Sequence, residues 1–283
     1  MKNYIYCYYI NRDDKISELS VSYFSLMATN PKYPVYCMLG TGVSPEGEQY
    51  LQEIGIKLLD AKDYPYSDTI YDKDGNEVSK FICSGKLSIY RFLEFDKIVY
   101  LDTDTYVVKN LDSCFDFKNG SMTRFSIATD NHYGIPNGGL LVAVPSQDMI
   151  DRIDTVRNED YASGQFRYYD DQDFLAQELS FYNRKDTRLP IEYNVFPFYI
   201  DFYRTNDFFN EKEVKMYHYM GGLTFNSINY KLYDTPSLAH YPECAYDYAQ
   251  EYLIQYNMIM SILKTRYPQY EFLKYTAMNL ALT

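Results

Sequence analysis

The chain has 283 residues, 46% of them apolar, and carries a formal net charge of -12. This length and apolar content exclude a disordered chain and allow one large domain, or one domain with an elaborated end, around a sizeable core. The acidic balance excludes binding through a basic surface, so neither nucleic acid nor anionic membrane is expected as a partner.

Short apolar runs alternate with amphipathic segments through the first half. Tyr4–Ile10 reads as a buried strand. Ile16, Leu19, Tyr23, Leu26 and Met27 recur at helical spacing and predict a helix. Val35–Leu39 predicts a second strand, Pro45–Ile54 a helix with proline near its start, and Ile56–Leu59 a third strand. Asp72–Asn76 is a polar turn cluster. Cys83, Leu87, Tyr90 and Glu94 lie along one helical stripe, and Lys97–Leu101 is a fourth strand. Gly138–Val144 is a further strand, and a helix opens at Pro145-Ser146. Asp170–Leu179 is helical, Asn183–Asn210 is irregular, Val214–Tyr219 is a short strand, and Ala245 to Tyr267 is a Tyr-rich helix. The fold class is therefore α/β: a mostly parallel twisted sheet flanked by helices, with a helical C-terminal end. The expected division is 1–240 for the catalytic part and 241–283 for a helical extension packed on it.

Two compositional features bear on setting. The 34 tyrosines offer flat faces with polar tips, suited to stacking sugars or bases, but compositional drift is the better account of the bulk of them. The five cysteines are odd in number and widely spaced, with no C-x-x-C. They read as free thiols in a reducing compartment. The apolar start lacks a basic head and a cleavage site, and nothing is long enough to cross a membrane, so a cytoplasmic location is expected. The Tyr-rich C-terminal helix has the pattern of a core or homodimer face.

The chemistry concentrates after the fourth strand. In an open parallel sheet, ligands bind beyond the carboxyl ends of the strands, and Asp102-Thr103-Asp104 stands at that end. Two carboxylates at i and i+2 face one crevice if the chain turns at Thr103. Such hard oxygen ligands suit Mg2+ or Mn2+, which also coordinate phosphate oxygens. Asp112 and Asp116 are ordinary acids by comparison. The surrounding run, Val99-Tyr100-Leu101-Asp102-Thr103-Asp104-Thr105-Tyr106-Val107-Val108, sets this pair apart.

Residues 98–111 resemble the metal motif of family 8 glycosyltransferases, the group that contains glycogenin and the bacterial lipopolysaccharide galactosyltransferases. Further blocks follow in the family's order. Cys83-Ser84-Gly85-Lys86-Leu87 resembles its donor-contacting helix. Pro136-Asn137-Gly138-Gly139-Leu140 resembles its acceptor-side strand. Tyr169-Asp170-Asp171-Gln172-Asp173 resembles the pair beneath the reacting sugar carbon. Tyr193-Asn194 and His218-Tyr219-Met220-Gly221-Gly222 resemble its later blocks. The resemblance covers about four-fifths of the chain.

It implies a GT-A fold and a retaining transfer of glucose or galactose from a UDP-sugar to a carbohydrate, lipid-linked or protein acceptor. It implies Mn2+ or Mg2+ held by Asp102, Asp104 and His218, and donor contacts from Tyr9, Ile10, Asn11, Lys86, Thr103, Asn137 and Gly221. Catalytic roles fall to Asp171, Gln172 and Lys86. The chain departs from the family pattern at Thr224-Phe225-Asn226, where Lys-Pro-Trp is usual, and at Asp201, which stands where glycogenin has its acceptor tyrosine. Competing readings are a non-catalytic homologue that binds a nucleotide-sugar, a sugar-1-phosphate nucleotidyltransferase, and a metal-dependent phosphatase or nuclease. The second wants a glycine-rich loop that Asn11-Arg12-Asp13-Asp14 does not supply, and the third wants more clustered acids or histidines.

Overall fold

The computed structural model describes residues 2–62, 70–71, 77–79, 84–125, 135–163, 171–178, 188–205, 209–219 and 243–273. In chain order the elements are β1 (Tyr4–Arg12), α1 (Ile16–Ala28), β2 (Val35–Gly42), α2 (Pro45–Glu53), β3 (Lys57–Asp60), β4 (Ile70–Tyr71), β5 (Glu77–Ser79), α3 (Ser84–Leu87) and β6 (Lys97–Leu101). They continue with β7 (Thr105–Val107), β8 (Ser121–Phe125), β9 (Ile135–Ala143), α4 (Gln147–Ser163), α5 (Asp171–Glu178), α6 (Ile200–Arg204), β10 (Met216–His218) and α7 (Glu243–Arg266). The chain divides into two units. The first comprises Met1–Arg12, Lys32–Asp102 and Asp112–Pro190; the second comprises Asp13–Pro31, Thr103–Leu111 and Ile191–Thr283.

The first unit is built on a six-stranded sheet in the order β3-β2-β1-β6-β9-β8. The pairs β3–β2, β2–β1 and β1–β6 are parallel, while β9 runs antiparallel to β6 and β8. This is the mostly parallel, helix-flanked sheet that the alternation predicts. Both faces of β1 are buried, which explains why its residues are apolar or aromatic without polar alternation. Ile5, Cys7, Ile98, Tyr100, Leu141 and Ala143 face Leu87, Ile89, Tyr90, Ile153 and Phe174 from the helices. On the other face Tyr6 meets Phe115 edge-on, and its hydroxyl donates to Asp112 Oδ1 at 2.8 Å. Asp112, an ordinary acid in sequence, thus ties its own turn to the sheet. Cys7, Cys37 and Cys114 are buried free thiols.

The helix predicted from Cys83 to Glu94 is shorter than its stripe. Four residues of α3 pass into a 3-10 turn at Ser88–Arg91, and the backbone leaves helical geometry at Phe92. The Ser88 hydroxyl donates to the Gly85 carbonyl at 2.5 Å, a local bond that competes with the regular helical ladder. Cys83 and the Asp72–Asn76 turn lie outside the described residues. Of the stretch expected to be irregular, 188–205 contains 3-10 turns at Ile191–Tyr193 and Pro197–Tyr199 and the short α6.

In the second unit, β7 pairs antiparallel with β10, with Tyr217 opposite Tyr106 and His218 opposite Thr105. Helix α1 serves β7 with hydroxyls: Ser25 Oγ accepts from Val107 N at 2.9 Å, and Ser22 Oγ lies 2.7 Å from Thr105 Oγ1. Ser25 thus satisfies a strand N–H that an apolar side chain would leave orphaned, and Ser22 satisfies the buried Thr105 hydroxyl. Helix α7 buries Tyr252, Leu253, Tyr256, Met260 and Leu263. Tyr252 stacks on Tyr219 with ring centroids 4.2 Å apart, and Tyr248 lies 5.2 Å from Tyr217.

Candidate functional site

In the first unit, Asp102 is the first residue past β6. Its N–H donates to Gly139 O at 2.9 Å, so the backbone still runs beside β9 as the carboxylate leaves the strand. The side chain meets Lys86. The ammonium lies 3.1 Å from Asp102 Oδ1 and 3.0 Å from Asp171 Oδ2, and it donates to Gly138 O at 3.3 Å. The Tyr100 ring lies 5.0 Å from Lys86 Nζ, and the Tyr100 hydroxyl donates to Asp102 Oδ1 at 2.8 Å. Lys86 is 4% exposed and Asp171 2%. The structure buries Lys86, because α3 packs against both β1 and α5. An ion so removed from water is stable only when paired and hydrogen-bonded, and here one cation holds two carboxylates and a carbonyl.

The carbonyl comes from an irregularity in β9. Its pairing with β8 shifts between Met122↔Leu141 and Thr123↔Asn137, so the intervening residues of β9 bulge. Asn137 is buried, and its Oδ1 accepts from Gly139 N at 2.9 Å, bracing that bulge. Near the end of β1, the Tyr9 ring packs against Gly85 of α3. A Cβ added at Gly85 would stand 2.1 Å from Tyr9 Cζ, so only glycine allows this approach. Asn11 packs less tightly on Gly40, where an added Cβ would lie 2.9 Å from Asn11 Cβ. The Ile10 side chain is 1% exposed and belongs to the core, which leaves only its backbone for a ligand.

In the second unit, the chain turns at Thr103 and Asp104 before β7. The β7–β10 register brings His218 Nε2 to 3.0 Å from Asp104 Oδ1. His218 is 2% exposed; its N–H donates to Val195 O at 2.9 Å and its ring packs at 5.2 Å on Phe196. Tyr219 N in turn donates to Asp104 O at 2.9 Å, locking the acid's backbone to the strand that carries the histidine. Burial pushes the Asp104 carboxyl up, but the neighbouring His218 and the Lys15 ammonium outweigh it and hold the carboxyl below its ordinary value. Asp102 and Asp104 are one residue apart, so covalent geometry alone keeps their Cα atoms within about 7 Å.

Glu18 is a residue that sequence reasoning missed. It sits in the first turn of α1, 1% exposed, 3.0 Å from Lys15 Nζ, and accepts a long hydrogen bond from Thr103 Oγ1 at 3.5 Å. Burial pushes its carboxyl up, against the pull of Lys15, and Asp104 adds to the rise. The only available signal was an acid standing among Ile16, Leu19 and Tyr23 on a helix with a buried stripe. A carboxyl raised by folding favours the folded state less once it must ionise. Glu18→Gln is therefore expected to stabilise the chain at pH 7, and the gain should vanish as pH falls below the ordinary carboxylate range near 4. Urea unfolding at both pH values checks this. A loss of stability at pH 7 would mean that the Lys15 ion pair outweighs the burial cost.

Gln172 lies on α5, but its side chain is outside the described residues, as are Tyr169, Asp170, Gly221 and Thr224–Asn226 entirely. Among the described residues the structure thus brings together Lys86, Asp102 and Asp171 in one unit, and Asp104 and His218 in the other.

No protein-family model matches the sequence. The chain is 24% identical over 210 residues to an uncharacterised protein of Acanthamoeba polyphaga mimivirus, covering 69% of each. It is 26% identical over 167 residues to UDP-glucuronate:xylan alpha-glucuronosyltransferase 2 of Arabidopsis thaliana, covering 58% of this chain and a quarter (25%) of the plant enzyme. Among solved structures it is similar to the galactosyltransferase LgtC, solved with donor and acceptor sugar analogues. That match has a TM-score of 0.60 at 15% identity and covers 90% of this chain and 95% of the other. The chain has the GT-A glycosyltransferase fold, as the resemblance implied.

Proposed function

We propose that this chain is a family 8 glycosyltransferase, a retaining, metal-dependent enzyme that moves glucose or galactose from a UDP-sugar to an acceptor hydroxyl. The observation that carries this reading is the 3.0 Å approach of His218 to Asp104, one residue from Asp102. Asp102, Asp104 and His218 each offer one ligand atom. Two carboxylate oxygens and an imidazole nitrogen suit Mn2+ or Mg2+, with room left for phosphate oxygens. A bound divalent ion supplies positive charge to the departing diphosphate, which a chain of net charge -12 otherwise opposes.

The chain's own residues take the remaining roles. Lys86 orients the Asp102 carboxylate and places positive charge beside the donor. The resemblance assigns base contacts to Tyr9, the Ile10 backbone and Asn11, and further donor contacts to Thr103 and Gly221. The bulge braced by Asn137 lines the acceptor side. The resemblance assigns Asp171 and Gln172 to the reacting carbon, where a carboxylate would stabilise oxocarbenium-like charge. The acceptor is a carbohydrate, lipid-linked or protein hydroxyl. Residues 1–240 form the catalytic domain and 241–283 the helical extension. No helix among the described residues is long and apolar enough to cross a membrane, and we assign the protein to the cytoplasm.

Mn2+ with UDP is expected to raise the melting temperature, and slow release of UDP from UDP-glucose or UDP-galactose should follow in the same mixture. Absence of any shift at millimolar ligand would sink the nucleotide-sugar reading. A shift without sugar release would assign a non-catalytic homologue. Consumption of pyrophosphate and UDP-sugar to give UTP and sugar phosphate would assign a nucleotidyltransferase.

A further inference from the structure

Helix α7 has two apolar faces. One packs inward through Tyr252, Leu253, Tyr256, Met260 and Leu263. The other is open: Ile254 is 56% exposed, Met258 53% and Ile262 61%. The other exposed large apolar side chains among the described residues, Met27, Leu93, Val108 and Phe202, are scattered through the chain. Residues at i, i+4 and i+8 form one ridge along a helix. A surface helix needs one apolar stripe, and a second implies a second covering partner.

The charges along the same helix indicate what that partner is. Asp247 and Glu251 are exposed in its first half, and Lys264 and Arg266 stand in its last turn. The ridge is symmetric about Met258, with Ile254 and Ile262 equally distant from it. A second copy laid antiparallel, with Met258 at the crossing, sets Ile254 against Ile262 twice. It also sets Glu251 at the level of position 265, next to the partner copy's Arg266. Both relations are self-complementary, as a twofold interface requires. The helix dipole favours acids at the start and bases at the end, but it gives no reason for the apolar ridge. An anionic membrane is disfavoured by the net charge of -12.

We infer that the Ile254–Met258–Ile262 ridge of α7 is a homodimer face, in which two copies of this chain pack their C-terminal helices antiparallel across Met258. This inference is independent of the glycosyltransferase reading. With three apolar side chains per copy the contact is small, so a weak, concentration-dependent dimer is expected.

Sedimentation velocity of the full chain over a hundredfold concentration range tests it. The expected result is a monomer–dimer equilibrium that Met258→Lys abolishes with an unchanged melting curve, since the side chain is solvent-facing in the monomer. Glu251→Arg and Arg266→Glu should each weaken the dimer by about tenfold, and the double reversal should restore it, as partners across an antiparallel interface do. A monomer at every concentration overturns the inference. So does a dimer indifferent to Met258→Lys, or a double reversal no better than the singles. Monomeric protein that binds phosphatidylglycerol vesicles through Met258 would assign the ridge to a membrane instead.

Discussion

Replacing Lys86 with methionine is expected to cost about 3–5 kcal/mol of folding free energy, the loss that follows when one partner of a buried ion pair is removed. The stem of the side chain is kept, so packing changes little. What is lost is the ammonium 3.0 Å from Asp171 and 3.1 Å from Asp102. Asp102 can turn toward water, because its side chain is 25% exposed. Asp171 cannot, at 2%. The cost therefore falls on Asp171, and neutralising it identifies the cause: the Lys86→Met/Asp171→Asn double variant should recover most of the loss. Equilibrium urea unfolding at neutral pH measures all three. A domain of ordinary stability has about 5–15 kcal/mol in total, so the single variant should be visibly close to unfolding. A loss under about 1 kcal/mol would show that solvent reaches the pair, as it does for surface ion pairs.

Asp104→Asn is expected to weaken Mn2+ binding by more than about a hundredfold, a larger effect than losing a group that merely orients a ligand. The substitution keeps the shape and removes the charge that a divalent ion needs. It should leave the fold intact, since the Asp104 side chain is 22% exposed and its backbone bond to Tyr219 does not depend on the side chain. Calorimetric titration of the full chain with Mn2+ alone reads the effect without any reliance on turnover. Unchanged affinity would place the ion elsewhere. His218→Gln should weaken Mn2+ binding in the same direction. It should also lower stability, because the imidazole is buried against Phe196 and a longer amide does not fill that space.

Each of the two units contains one locally unfavourable arrangement. Glu18 is a carboxylate whose burial opposes its charge, and Lys86 is a buried cation. Within its own unit each contacts one residue of the acidic stretch, Glu18 meeting Thr103 and Lys86 meeting Asp102. Sequences break local rules of this kind chiefly where function requires it.

Much of this protein was legible from residue order alone. The runs Tyr4–Ile10 and Lys97–Leu101 are apolar without alternation, and a strand reads that way only when both its faces are covered; β1 and β6 are the central parallel pair. Helices α1, α2, α4 and α7 were visible because 3.6-residue periodicity is a local property. Asp102 and Asp104 needed only their place beyond a buried strand. Other features depend on segments distant in sequence. That β7 leaves the main sheet and pairs with β10 is a matter of long-range register, and only this pairing sets His218 beside Asp104. β8 escaped notice because Ser121–Phe125 alternates too weakly to be distinguished from a loop until β9 supplies its hydrogen bonds. The block around Lys86 marked it for the donor but not for burial, because burial is set by α5 and the β9 bulge, neither of which leaves a mark at position 86. The sequence by itself determined which side chains could do the chemistry, since ligand type and strand position are local. Tertiary structure alone decided which of them meet, since a contact across a hundred residues is made by packing and strand register, and neither is written in any one segment.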